Sequence, residues 1–214
     1  LHAEYLVKKS VLLAKNKSSV NDEDPQLPWF TADGMRSARQ SFVFTNAPTP
    51  VMQIDDLMAT FTSRIYILDP NLHRIGFGAA HDIGRGSRCG LDPNGGRGDG
   101  RVILYPTPKQ LDVPLLGFDP IDGAEGKSGF PVTVTFPQRA SIRNAVGILK
   151  DASGKEVATL VTSPEKPLQP KLQRNTIAVH PLQPLEPGQT YHVTVSVVLN
   201  GKEWRQNWQF STAR

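Results

Sequence analysis

Along this chain of 214 residues the spacing of apolar positions passes from helical to alternating. At the start, Leu1, Tyr5, Leu6, Leu12 and Leu13 can share one helix face while Glu4, Lys8, Lys9 and Lys15 lie outside it, and the pattern opens abruptly, as at a truncated helix. Thr31-Ala32-Asp33-Gly34 can cap a short helix through Gln40. Pro50 suits the first position of another, running to about Phe61, in which Val51, Ile54, Leu57, Met58 and Phe61 recur at threes and fours as a stripe expected to be buried. After the Asp69-Pro70-Asn71 turn the period becomes two. Ile75, Phe77 and Ala79 alternate with small residues, and Arg101 to Tyr105 reads as a second strand. Between them, Gly84 to Gly100 holds seven glycines in seventeen residues and reads as a long hairpin-like connection.

Residues 109–129 are rich in proline and glycine and read as a linker that packs locally through Leu115, Leu116 and Phe118. From Phe130 the alternation is sustained. Val132, Val134 and Phe136 point one way, Asp151-Ala152-Ser153-Gly154 joins two strands, Thr176 to His180 is another, and Asn200-Gly201 joins Tyr191–Leu199 to Glu203–Ser211 as a tight hairpin. Six or seven strands in residues 130–214 predict an all-β sandwich. The closing phrase, carried by Leu185, Pro187, Gly188, Thr190, Tyr191, Trp208 and Phe210, resembles the last hairpin of bacterial immunoglobulin-like modules, which bind, space or present.

Composition narrows the function classes. The net charge is +4, and the basic and acidic residues divide as 12 against 11 up to Pro108 and 12 against 9 after it, so charge is spread and no nucleic-acid-binding patch is expected. The single cysteine, Cys89, has no disulfide partner within the chain and reads as a small hydrophobe or a free thiol. Apolar clusters such as Val11–Ala14 and Val193–Leu199 are far shorter than the roughly 20 residues of a spanning helix. Two short motifs carry little. Asp92, Asn94 and Asp99 lack the alternate ligand spacing of a calcium loop, and Arg97-Gly98-Asp99 is an integrin-type tripeptide of three letters in a glycine-rich stretch. Ser63 is followed by Arg64 and does not stand in a nucleophile elbow.

Three patches, His2 to Leu6, Glu23 to Gly34 and Phe61 to Gly78, resemble bacterial CAP-superfamily domains (cysteine-rich secretory protein, antigen 5, pathogenesis-related 1). The resemblance implies an α+β chain: a CAP-type α-β-α sandwich, N-terminally truncated, over residues 1–108, the linker, and then the immunoglobulin-like domain. It also implies a cleft that in the family holds histidines and carboxylates around a divalent metal. The matching positions here are Asn21 (or Asp22), Met35 and Ser63, a set that has lost its ligands, with Glu23 and His81 as further candidates to line the cleft. The implied protein is a secreted or cell-envelope binder of a lipid, a glycan or another protein, with no cofactor and no catalytic residue. A hydrolase with relocated metal ligands and an envelope spacer are the alternatives.

Overall fold

The structure, a computed structural model, describes residues 5, 22–45, 49–72, 74–82, 86–95 and 100–214. These form two compact units, one from residues 1–56 with 72–97, the other from 57–71 with 98–214. The division falls within a helix and differs from the boundaries at 108 and 130 expected from composition.

In the first unit, α1 (Ala32–Gln40) begins where the Thr31 hydroxyl accepts the Gly34 N–H at 2.9 Å, as the sequence predicts. Strands β1 (Phe42–Thr45), β2 (Arg74–Asp82) and β3 (Gly86–Gly95) make an antiparallel sheet in the order β1-β3-β2. The glycine-rich stretch expected as a connection is therefore largely a central strand, with Cys89 opposite Phe44 on one side and Ala79 on the other. Pairing along both edges satisfies a backbone whose side chains alone argue against a strand. The opening helix, apart from Tyr5, and the Arg97-Gly98-Asp99 tripeptide lie outside the described residues.

Helix α2 (Pro50–Ala59) starts at Pro50 as expected but stops before Thr60, and α3 (Phe61–Ile67) follows. The break divides the anticipated stripe. Leu57 and Phe61 are buried, whereas Val51 and Ile54 are 67% and 39% exposed.

In the second unit, strands β4 (Ile103–Tyr105), β5 (Val132–Thr135), β6 (Ile142–Lys150), β7 (Thr159–Thr162), β8 (Thr176–Pro181), β9 (Thr190–Leu199) and β10 (Lys202–Ser211) form two antiparallel sheets. One runs β4-β5-β8-β7 and the other β10-β9-β6. Their inward residues, among them Phe130, Val134, Ile177, Val193, Val195 and Phe210, share one core, which makes the unit a β-sandwich. A Cβ on Gly147 of β6 would strike the Val179 side chain of β8, so the sheets meet there at a distance that only glycine allows. The β9–β10 hairpin turns on Asn200 and Gly201, both at positive φ (50° and 81°), as a two-residue turn of this composition requires. Residues 109–113, expected within a linker, run beside the far half of β10: Lys109 N–H donates to Gln209 O at 2.7 Å, Ser211 N–H to Gln110 O at 2.8 Å, and Val113 N–H to Ser211 O at 3.1 Å. Helix α3 lies on the outer face of the four-stranded sheet, with Phe61 and Ile65 against Ala178.

The α-β-α sandwich is overturned. Among the described residues there are three helices of nine, ten and seven residues, against antiparallel sheets that carry most of the regular secondary structure. Such short helices cannot form the two covering layers that a CAP fold needs. None of them is long and apolar enough to cross a membrane.

Candidate functional site

The residues matched to a CAP cleft do not share one unit. Asn21 lies outside the described residues. Glu23 is buried, and its Oε2 accepts the Thr31 N–H at 3.1 Å, so its carboxylate braces the start of α1. Gly34 completes that arrangement, since a Cβ there would lie 2.6 Å from Thr31 Oγ1 and run into the Glu23 carboxylate. Met35 follows on α1, half-buried. His81 sits in β2, its backbone opposite Ser87. Ser63 belongs to the second unit, half-buried on α3, where its N–H donates to Thr60 O at 3.2 Å. Among the described residues, no three His, Cys, Asp or Glu side chains gather as a metal site would require.

The densest polar constellation of the second unit was not among the expected residues. Arg64, on α3, is fully buried without a carboxylate at ion-pair distance among the described residues. Its Nε donates to Met58 O at 2.5 Å, Nη1 donates to Pro131 O, and Nη2 has no hydrogen-bond partner among the described residues. The guanidinium lies over the rings of Phe130 and Tyr105, 4.3 and 4.9 Å from their centroids, where the negative ring faces supply part of what water would. Burial pushes it down to about 9, against the opposing pull of Tyr105 and Asp119, and at neutral pH it remains a cation. Asp119 reaches across from a distant loop to cap α3, accepting the N–H of Phe61 and, at 3.3 and 3.1 Å, the N–H and hydroxyl of Thr62. It supplies what the Thr60 side chain does not, since Thr60 makes no capping bond of its own.

Beside this cluster, His180 of β8 packs edge-on to Phe61 at 5.1 Å, with Nε2 3.2 Å from Thr162 Oγ1. The chain of bonds continues from Gln173 Nε2 to Thr162 Oγ1 at 3.3 Å and to Thr176 O at 2.8 Å. Burial, and then the charge of Arg64, push the His180 imidazole down to about 3, so it is neutral at pH 7. Buried under α3 and, apart from Arg64 Nη2, held by internal partners, this cluster does structural work. One signal for it was present in the sequence: Phe61, Arg64 and Ile65 stand at i, i+3 and i+4, which puts the arginine on the buried face.

The accessible chemistry of this unit lies on its opposite side. Where β9 and β10 meet the 108–109 segment there is an open trough of about 390 Å³. Lys109, His192, Thr194, Asn207 and Gln209 offer it polar groups, and Trp208 lies beneath, its indole N–H donating to Pro106 O at 2.9 Å. The lining includes a lysine and a histidine and no carboxylate. A second depression of about 400 Å³, lined in part by Asn144, Ser196, Glu203 and Arg205, lies along the same hairpin.

No family model and no curated protein sequence matches this chain. The CAP identification therefore finds no support in sequence comparison either. Among solved structures the chain is similar to a DUF4426 family protein from Pseudomonas aeruginosa PAO1, at 16% identity and a TM-score of 0.27, over 39% of this chain and 64% of that one. The chain thus spans less than two thirds of that protein's length, and at this score neither fold nor function passes from one to the other.

Proposed function

We propose that this chain is a binding module rather than an enzyme, and that it recognises an acidic or hydroxyl-rich polymer, such as an acidic glycan, along the exposed side of the β9–β10 hairpin. The observation that carries this reading is the trough: open enough for an extended ligand, lined by hydrogen-bonding side chains, and supplied with Lys109 and His192 but no carboxylate. The interior polar groups support it from the other direction, since Arg64, His180 and Asp119 are buried and committed to holding α3.

The strand order supports the finer reading of an immunoglobulin-type module. First, second, fifth and fourth strands share one sheet, and third, sixth and seventh the other. At the start of the sixth strand, the Tyr191 hydroxyl accepts the Glu186 N–H at 2.9 Å, the corner such modules place there. With the CAP resemblance gone, a secreted or envelope setting rests only on the kinship of such modules with surface proteins.

Calorimetric titration with a uronic-acid oligosaccharide tests the proposal. Binding is expected that weakens about tenfold or more in Lys109→Glu, by loss of one charge-assisted contact and gain of a repulsion. Absence of binding to acidic and neutral oligosaccharides alike would overturn the ligand class. Turnover of the sugar would overturn the non-enzymatic reading.

A further inference from the structure

We propose that two copies of this chain associate through the free edges of β10, antiparallel and centred on Trp204, so that two three-stranded sheets become one of six strands. This goes beyond the binding reading and does not rest on it, since it uses the other end of the hairpin.

The hairpin fixes which way each backbone group points. Leu199 and Lys202 flank a two-residue turn and form a hydrogen-bonded pair, so Lys202, Trp204, Gln206, Trp208 and Phe210 direct their N–H and C=O groups to β9. The odd-numbered residues direct theirs outward. The bonds from Gln209 and Ser211 to residues 109–113 follow this parity and close the far half of the edge. At Glu203 and Arg205, β10 is the terminal strand of its sheet, and no strand among the described residues pairs with them from outside. Uncovered edges invite another strand, and proteins commonly block them with like charges, proline or a bulge. This one instead carries opposite charges two residues apart.

That spacing is self-complementary. In an antiparallel pair centred on residue 204, Glu203 of each copy stands opposite Arg205 of the other, both pairs in hydrogen-bonded positions and each exchanging two backbone bonds. Trp204 then faces its own counterpart in a non-hydrogen-bonded position, where cross-strand side chains approach most closely and aromatic pairs are favourable. Trp204 is half-buried, one side packed edge-on to Phe136 at 5.1 Å, so part of the indole remains to be covered. A register centred on Arg205 would oppose two arginines. One centred on Gln206 would require Gln209, whose carbonyl already accepts from Lys109. The charge pattern selects the register centred on Trp204.

Sedimentation velocity on the whole chain up to about 100 µM, a range that detects associations of micromolar Kd, provides the test. The wild type is expected to shift from 23.5 kDa towards twice that mass with concentration. Glu203→Arg and Arg205→Glu, both exposed and outside the core, should each weaken association by about tenfold or more, and the double exchange should restore it, because opposed charges across a strand pair attract and like charges repel. Circular dichroism would verify that the single variants keep their fold. A wild type that stays monomeric overturns the proposal and leaves the edge to an extended segment of another protein. A dimer indifferent to both charge reversals, or one that the double exchange does not restore, overturns this interface.

Discussion

The two sheets of the sandwich contribute alike to one core and differ in what lies outside it. All six residues of β8 are buried, because α3 and the 162–173 segment cover the far face of the four-stranded sheet. On the three-stranded sheet the inward residues of β9, Tyr191, Val193, Val195 and Val197, are equally buried, while His192 next to them is exposed. The covered face has polar groups with no water to satisfy them, so Arg64, His180, Thr162 and Gln173 depend on carbonyls, rings and one another. The open face has polar groups that water satisfies at no structural cost, which leaves them available to a ligand. One fold thus puts its buried, stability-determining polar residues and its solvent-facing polar residues on opposite outer faces.

The comparison breaks most severely at Arg64. Arg64→Ala removes a fully buried side chain and strands the carbonyls of Met58 and Pro131, and should cost about 3–5 kcal/mol in urea unfolding followed by tryptophan fluorescence. A loss under 1 kcal/mol would show that the cluster does not hold the covered face.

Acid is the next lever. The His180 imidazole titrates at about 3 in the folded protein and near 6.5 when unfolded, so below pH 6.5 the unfolded chain binds the extra proton. Stability is complete above pH 6.5 and falls as the pH drops towards 3, by about 3 kcal/mol at pH 4 from this group. His180→Gln should therefore lose less stability between pH 7 and pH 4 than the wild type does. Equal losses in the two proteins would remove His180 from the explanation.

Asp119→Ala uncaps α3 and takes away a carboxylate that favours the Arg64 charge, for an expected cost of about 2 kcal/mol in the same unfolding assay. An unchanged urea midpoint would mean that α3 holds without its cap. The smallest effect belongs to the open face: Thr194→Ala, which removes only an exposed bond to Asn207, should change stability by no more than about 0.5 kcal/mol. A larger loss would erase the distinction between the faces.

What could be read in advance follows the same division. Strands β8, β9 and β10 were legible because alternation and the Asn200-Gly201 turn are local signals that packing reinforces. Strand β3 was not, since Gly86 to Gly95 has the composition of a connection and becomes a strand through partners on both sides. The stripe on α2 failed ahead of Leu57, at Val51 and Ile54, because periodicity identifies a face without saying whether anything covers it. Asp119 was beyond reach, its partner Phe61 lying 58 residues away with no local pattern joining them. The candidate cleft residues Met35 and Ser63 came from likeness to a fold that this chain does not have.

The bridge between Val113 and Thr212 runs parallel, with Ala213 N–H donating to Val113 O at 2.9 Å and Gly188 N–H to Ala213 O at 2.8 Å. Force drawing residue 113 and residue 213 apart along the strand direction would load the bonds from Val113 N–H to Ser211 O and from Ala213 N–H to Val113 O together, in shear, instead of opening them one after another. The sandwich would then yield late and abruptly under tension.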